Sequence, residues 1–224
     1  MSSQDHEQEA SPIALGMRDM LSSYPKNFRY GKRVYLDVIR PADYELIAES
    51  EQAPPSDVLY RNQAQTPSPQ VFVESLWSGV LVQFMAREVG TDAAIGTVTC
   101  YNADFRNAHA YIAIHIFPEL RLRGWPLEGL VLLVNYLFFA FPFIKLYAEV
   151  LEPNLESLRG ELLRSVVHRE ARLRRHSFVA GEYRDRVTLA VYREEWNEKF
   201  GDGMPQSGLT GRVRVAESEA GSTP

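Results

Sequence analysis

Apolar-rich stretches over residues 80–89, 94–101 and 109–117, the last alternating apolar and polar positions from Tyr111 to Phe117, predict three strands. Gly90-Thr91-Asp92 separates the first two and the polar stretch 102–107 the last two, both good turn chemistry for hairpins, so an antiparallel meander is expected. Upstream, residues 32–40 set Val34, Leu36 and Val38 against Tyr35, Asp37 and Ile39, which predicts a first strand, and Pro41-Ala42-Asp43 then opens a short helix. Residues 70–77 predict a helix with Val73, Leu76 and Trp77 turned inward. Downstream, an apolar helix is expected over 126–141 and an alternating strand over 144–150, IKLYAEV. Strand, helix, strand in that order requires a crossover, so the sheet is mixed. Residues 154–164 predict a helix with Leu155, Leu158 and Leu162 on one face and Asn154 as N-cap, and residues 171–179 and 187–192 predict a final hairpin turning at 180–184. The fold class is α+β: one domain with a mixed, mostly antiparallel sheet flanked by helices.

The flanks of this pattern are different. Residues 1–31 are read as a flexible arm, 32–200 as the domain, and the Gly-, Ser- and Thr-rich residues 201–224 as a disordered tail. Residues 53–69 carry Pro54, Pro55, Pro67 and Pro69, which predicts a loop, either a surface insertion or one wall of a pocket. With 224 residues, 45% hydrophobic and 11% aromatic, the chain has enough apolar material for a full core. A net charge of -5 and a pI near 5.6 leave no electrostatic footprint for nucleic acid. One cysteine, Cys100, excludes an internal disulfide framework and a cysteine-rich metal site and fits a reducing compartment, the cytoplasm. No signal peptide is read at the N-terminus, and the apolar stretch 127–141, interrupted by Glu128 and Asn135 and stopped by Pro142, reads as a buried helix rather than a membrane span.

The strongest candidate ligand site is PELRLRGWP, residues 118–126, between the third meander strand and the apolar helix. A strand that feeds a helix N-terminus through a tight turn at Gly124 aims several backbone N–H groups one way, which suits a phosphate, and Arg121 and Arg123 add charge beside that positive helix end. An ordinary solvated turn is the alternative reading. His115 and Glu149 are titratable groups inside the two strands that flank this loop and helix. They are candidate bases, against the plainer reading of groups that face solvent or sit satisfied in the sheet. Trp77 and Trp125 are read as core aromatics or as the lining of an acceptor pocket.

Arg-x-x-Gly-x-(Gly/Ala) at a strand-to-helix junction resembles the pyrophosphate loop of the GNAT superfamily, the acetyl-CoA-dependent N-acyltransferases, with Arg121 and Gly124 matching and Pro126 departing. The order of elements over residues 32–196 is similar to that family. The branch it looks most like acetylates the N-terminal alanine of ribosomal proteins: Asn154-Leu155-Glu156-Ser157 resembles that branch's Asn-x-x-Ser, and residues 171–196 resemble its basic strand, turn and aromatic-capped strand. Ser165-Val166 stands near the place of the usual Gly-Phe, and Glu161 replaces the tyrosine that many members use as general acid.

The resemblance implies a donor held by backbone groups near Ile116 and Phe117, by the loop Arg121-Leu122-Arg123-Gly124-Trp125-Pro126 and by Asn154. It implies catalysis by Ser157 as acid, with Glu149 or His115 as base, and no metal. The donor is acetyl-CoA or another acyl-CoA, or an acyl-phosphopantetheine on an acyl carrier protein. The acceptor is a small-molecule amine or a peptide N-terminus, with no nucleic acid or membrane partner and a monomer or homodimer as the assembly. A catalytically silent GNAT-like binding domain is the third reading.

Overall fold

The computed structural model describes residues 28–54, 56–59, 61, 63–120, 125–158 and 165–200. Its strands are β1 (Val34–Val38), β2 (Val80–Glu88), β3 (Ala94–Asp104), β4 (His109–Ile116), β5 (Lys145–Leu151), β6 (Val167–Val179) and β7 (Glu182–Tyr192). Its helices are α1 (Asp43–Gln52), α2 (Ser56–Leu59), α3 (Pro69–Trp77), α4 (Glu128–Ala140) and α5 (Arg193–Phe200). One seven-stranded sheet runs β1-β2-β3-β4-β5-β7-β6, antiparallel throughout except where β4 meets β5. The mixed sheet expected from the crossover is therefore present, and α4 is the crossover.

Strand alternation gives the sheet two faces with different covers. On one, Val34, Leu36, Phe84, Val98, Cys100, Ala110, Ile112 and Leu146 meet the apolar side of α4 and the Trp196 and Phe200 rings of α5 in one buried cluster. On the other, Met85 and Phe117 pack with Ile47 of α1 and with Phe72 and Leu76 of α3. The residues buried from α3 are Phe72 and Leu76, an i, i+4 pair, whereas Val73 and Trp77 are exposed. The inward side expected for this helix is corrected accordingly.

The polar residues that interrupt the apolar helix have long-range partners. Glu128, buried in the first turn of α4, accepts the backbone N–H groups of Lys32 at 2.5 Å and Arg33 at 3.2 Å, and Asn135 accepts the Trp196 indole N–H at 2.7 Å. Each polar group is satisfied inside the fold, as burial demands. Arg193 binds the carbonyls of Phe138, Phe141 and Phe143, closing the C-terminal end of α4 where orphan acceptors accumulate. None of the described helices is long and apolar enough to cross a membrane.

Several element bounds differ from the sequence pattern. A 3₁₀ turn, Trp125–Leu127, precedes α4, so Pro126 lies before the α-helix rather than within it. The coil after β5 is a 3₁₀ segment, Glu152–Leu158, and it places Asn154 inside rather than at a cap; residues 159–164 of the expected helix lie outside the described residues. Pro153 fits such a first turn, where no backbone N–H is required. The loop expected over 53–69 contains the short α2.

Candidate active site

The β4–β5 pair decides the shape of the site. Only His109↔Lys145, Ala110↔Leu146 and Tyr111↔Tyr147 are paired, yet β4 continues to Ile116 and β5 to Leu151. Beyond Tyr111 and Tyr147 the two parallel strands separate, and the sheet opens as a wedge with Ala113, Ile114 and Ile116 partly exposed along one side and Ala148 along the other. An opening between two parallel strands can admit an extended polar chain.

Register also settles which side chains meet at the wedge. Tyr111 and Tyr147 are partners with rings 5.3 Å apart, so they share a face. Counting in twos places Ala113 and His115 on β4 and Glu149 on β5 on that same face, the one covered further along by α1 and α3. The two sequence candidates for a base thus come to one side of one opening, in different states. His115 is 4% exposed, and its Nε2 lies 2.7 Å from the Ser50 hydroxyl of α1. Glu149 reaches solvent and forms an ion pair at 3.1 Å with Arg186 of β7. Burial first, and the Glu149 charge next, raise the phenol pKa of both Tyr101 and Tyr111, with the Arg186 charge opposing the shift at Tyr101.

Two ion pairs with buried carboxylates set the helical cover over this face. Asp43, at the start of α1, takes Arg87 of β2 at 2.7 Å with both groups buried, and it also accepts the Arg40 N–H. Glu51, fully buried at the other end of α1, lies 3.3 Å from Arg61 Nε, while Arg61 donates to the Ser75 carbonyl of α3 at 3.0 Å. The proline-rich segment is therefore fastened to both helices. Neither Glu51 oxygen has a hydrogen bond. Burial outweighs the Arg61 charge and pushes the Glu51 carboxyl up to about 7. A carboxyl raised above its unfolded value costs the folded state nothing below about pH 4.3, and its penalty grows as pH rises through 7. Glu51→Gln is therefore expected to flatten the fall in melting temperature between pH 5 and 8, which thermal unfolding across that range measures. An unchanged slope would show that Glu51 is ionised and satisfied throughout.

No protein-family model and no curated protein matches this sequence. Solved structures do match the fold. The spermidine N-acetyltransferase of Vibrio cholerae in complex with CoA and spermine aligns with a TM-score of 0.64 and 15% identity over 73% of this chain and 98% of that one. The spermidine/spermine N-acetyltransferase from Vibrio cholerae in complex with manganese ions aligns with a TM-score of 0.62 and 17% identity over 75% of this chain and 96% of that one. The chain has the GNAT fold.

Some of the other sequence candidates lie within the described residues. Ile116 is half-buried at the end of β4, Phe117 is buried against the α1–α3 cluster, and Pro126 is buried at the mouth of α4. Asn154 is exposed in the 3₁₀ segment after β5, which also carries the backbone of Ser157. Arg121, Leu122, Arg123 and Gly124 lie outside the described residues, as do the side chains of Trp125 and Ser157. Trp77 is exposed and donates its indole N–H to the Tyr44 hydroxyl at 3.0 Å. Sequence reasoning missed Ser50, Glu51 and Arg186. Their partners lie 65, 10 and 37 residues away along the chain, and no local pattern carries such pairings. Cys100 is buried in the α4 core with its thiol pKa pushed up to about 12 by that burial, which makes it an inert apolar group. Among the described residues no group of three His, Cys, Asp or Glu side chains is placed to hold a metal ion.

Proposed function

We propose that this protein is an N-acyltransferase that moves an acetyl or other acyl group from a thioester donor to a primary amine by direct attack. One observation carries the reading: parallel β4 and β5 part after Tyr111↔Tyr147, and a solvent-reaching carboxylate, Glu149, stands on the wall of that opening. A pantetheine chain is extended and polar, so it suits the opening between β4 and β5 that runs toward Ile116 and Phe117. The loop from Arg121 to Pro126 and Asn154 then hold the phosphate end. The fold shared with amine acetyltransferases supports the reading. Residues 32–200 form the catalytic domain, and a single buried cysteine suits a cytoplasmic setting.

In the proposed reaction the neutral amine attacks the thioester carbonyl, its proton passes to Glu149, and collapse of the tetrahedral adduct breaks the C–S bond. Ser157, the position that resembles the acid of the ribosomal-protein-alanine branch, protonates the departing thiolate. His115, held by Ser50, lines the acceptor side. The acceptor is a small-molecule amine; a peptide N-terminus, as in that branch, is the finer alternative. Titrating the purified protein with acetyl-CoA by calorimetry tests the donor half. Saturable binding at micromolar concentrations with turnover of an amine is the expected result, and binding without turnover of any amine would leave a silent binding domain.

Pro126 favours a second reading of the donor. It is buried at the start of the α4 turn and has no N–H to offer a diphosphate, a loss on the order of 1.5 to 3 kcal/mol for one charge-assisted hydrogen bond. A carrier-bound acyl-phosphopantetheine, with one phosphate and no adenosine, loses less by this. Comparing kcat/KM for acyl-CoA and the matching acyl carrier protein in the parent and in Pro126→Ala decides it. The carrier reading expects the parent to prefer the carrier and Pro126→Ala to gain roughly tenfold on CoA. A parent that prefers free CoA, with no gain in the variant, excludes it.

A further inference from the structure

At the level where the β4–β5 ladder ends, tyrosines from three adjacent strands line up across the sheet. Tyr101 of β3 lies 5.7 Å from Tyr111 of β4, which lies 5.3 Å from Tyr147 of β5, and all three are partly exposed. One level further into the wedge the same face carries Ala113 beside Glu149 and Thr188. The short side chains of Ala113 and Thr188 lie at that level, between an aromatic belt on one side and His115 on the other.

The belt already holds an ammonium group. Lys145 Nζ sits 4.6 Å from the centre of the Tyr147 ring and 5.3 Å from that of Tyr192, with Glu170 at 3.2 Å balancing its charge. An ammonium over a tyrosine face is attracted by the ring quadrupole, more strongly as water is excluded. The Tyr111 side of the belt lies at the closed end of the wedge, and Glu149, paired with Arg186 at 3.1 Å, stands two residues further along β5.

We propose that the tyrosine belt seats a second, cationic group of the acceptor while the reacting amine lies at Glu149. Two residues along a strand span roughly 6.6 Å, so the substrate class is a primary amine with a further protonated amine a few methylenes away. The belt makes the site select diamines over monoamines of equal length. This rests on the acyltransferase reading for the role of Glu149, but the binding preference is measurable without turnover.

Calorimetry of the full chain with diaminobutane and with butylamine tests it, in the parent, Tyr111→Leu and Tyr111→Phe. The parent is expected to bind the diamine about tenfold more tightly than the monoamine, Tyr111→Phe to retain the preference, and Tyr111→Leu to abolish it. No preference in the parent, or one that survives Tyr111→Leu, overturns the proposal. Should Tyr111→Leu fail to fold, ring chemical shifts of tyrosine-labelled parent serve instead: diaminobutane must move the Tyr111 and Tyr147 signals and butylamine must not, and equal shifts refute the belt. Turnover with acetyl-CoA is scored separately. A diamine preference without acetylation of any amine sinks the acyltransferase reading and leaves the belt as a cation site.

Discussion

Glu149→Gln is expected to lower kcat by about 10² to 10⁴-fold while leaving donor affinity within about twofold of the parent. The substitution keeps shape and volume and removes only the capacity to take a proton from the amine. Glu149 is partly solvated, so losing its ion pair with Arg186 costs at most about 1 kcal/mol, and thermal stability should be nearly unchanged. That separation of rate from stability makes the result interpretable. His115 is the comparison: its ring is buried and already bonded to Ser50, so His115→Gln should cost stability as well as rate. A Glu149→Gln enzyme with kcat within about twofold of the parent, beside a His115→Gln enzyme reduced a hundredfold or more, would reassign the base to His115.

Much of this frame was legible in the chain because apolar runs of strand length are set off by turn residues. β2, β3 and β4 are apolar-rich runs bounded by short polar turns, and their expected spans agree with the structure within a few residues. The mixed sheet followed from the apolar helix between β4 and β5, since a strand, helix, strand order implies a crossover. β6 was legible only in part. It is an edge strand exposed on both faces for most of its length, so its first residues, Val167 to Glu170, carry no alternation to read. The inward side of α3 was misplaced because in so short a helix a shift of one residue changes the face by 100° while leaving apolar residues on either side.

The site was legible as residues but not as an arrangement. His115 and Glu149 stood out as titratable groups in strands, and register brings them to one face of one opening. Their different environments depend on Ser50 and Arg186, supplied by elements distant in sequence. The same holds for Asp43 and Glu51. In the sequence they are two more carboxylates on a polar helix; in the fold both are buried, one doubly bonded to Arg87 and one without a hydrogen bond. Tyr101, Tyr111 and Tyr147 form a belt only after three strands are aligned, which no single stretch of chain encodes.

Gly96→Ala is expected to destabilise the protein by on the order of 3 kcal/mol and to weaken donor binding in whatever fraction folds. Gly96 pairs with Ile116 across β3 and β4, and a methyl group there would run into the carbonyl of His115 and come within 2.9 Å of the Ile116 Cα. Both obstacles are backbone, so β4 itself must move, at the segment whose other edge borders the wedge. The Phe117 N–H to Ile95 carbonyl bond at 2.9 Å, next in the ladder, is the first contact to be lost. Gly90 provides the comparison. It has φ of +92° in the β2–β3 turn, with open space around its missing Cβ, so Gly90→Ala should cost only about 1 kcal/mol and leave the donor site alone. Urea midpoints at constant slope give the two stabilities, and calorimetry with acetyl-CoA gives the two affinities. Equal stability losses, with donor affinity unchanged in both, would mean that β4 absorbs the methyl group elsewhere and that its outer edge is not where the donor lies.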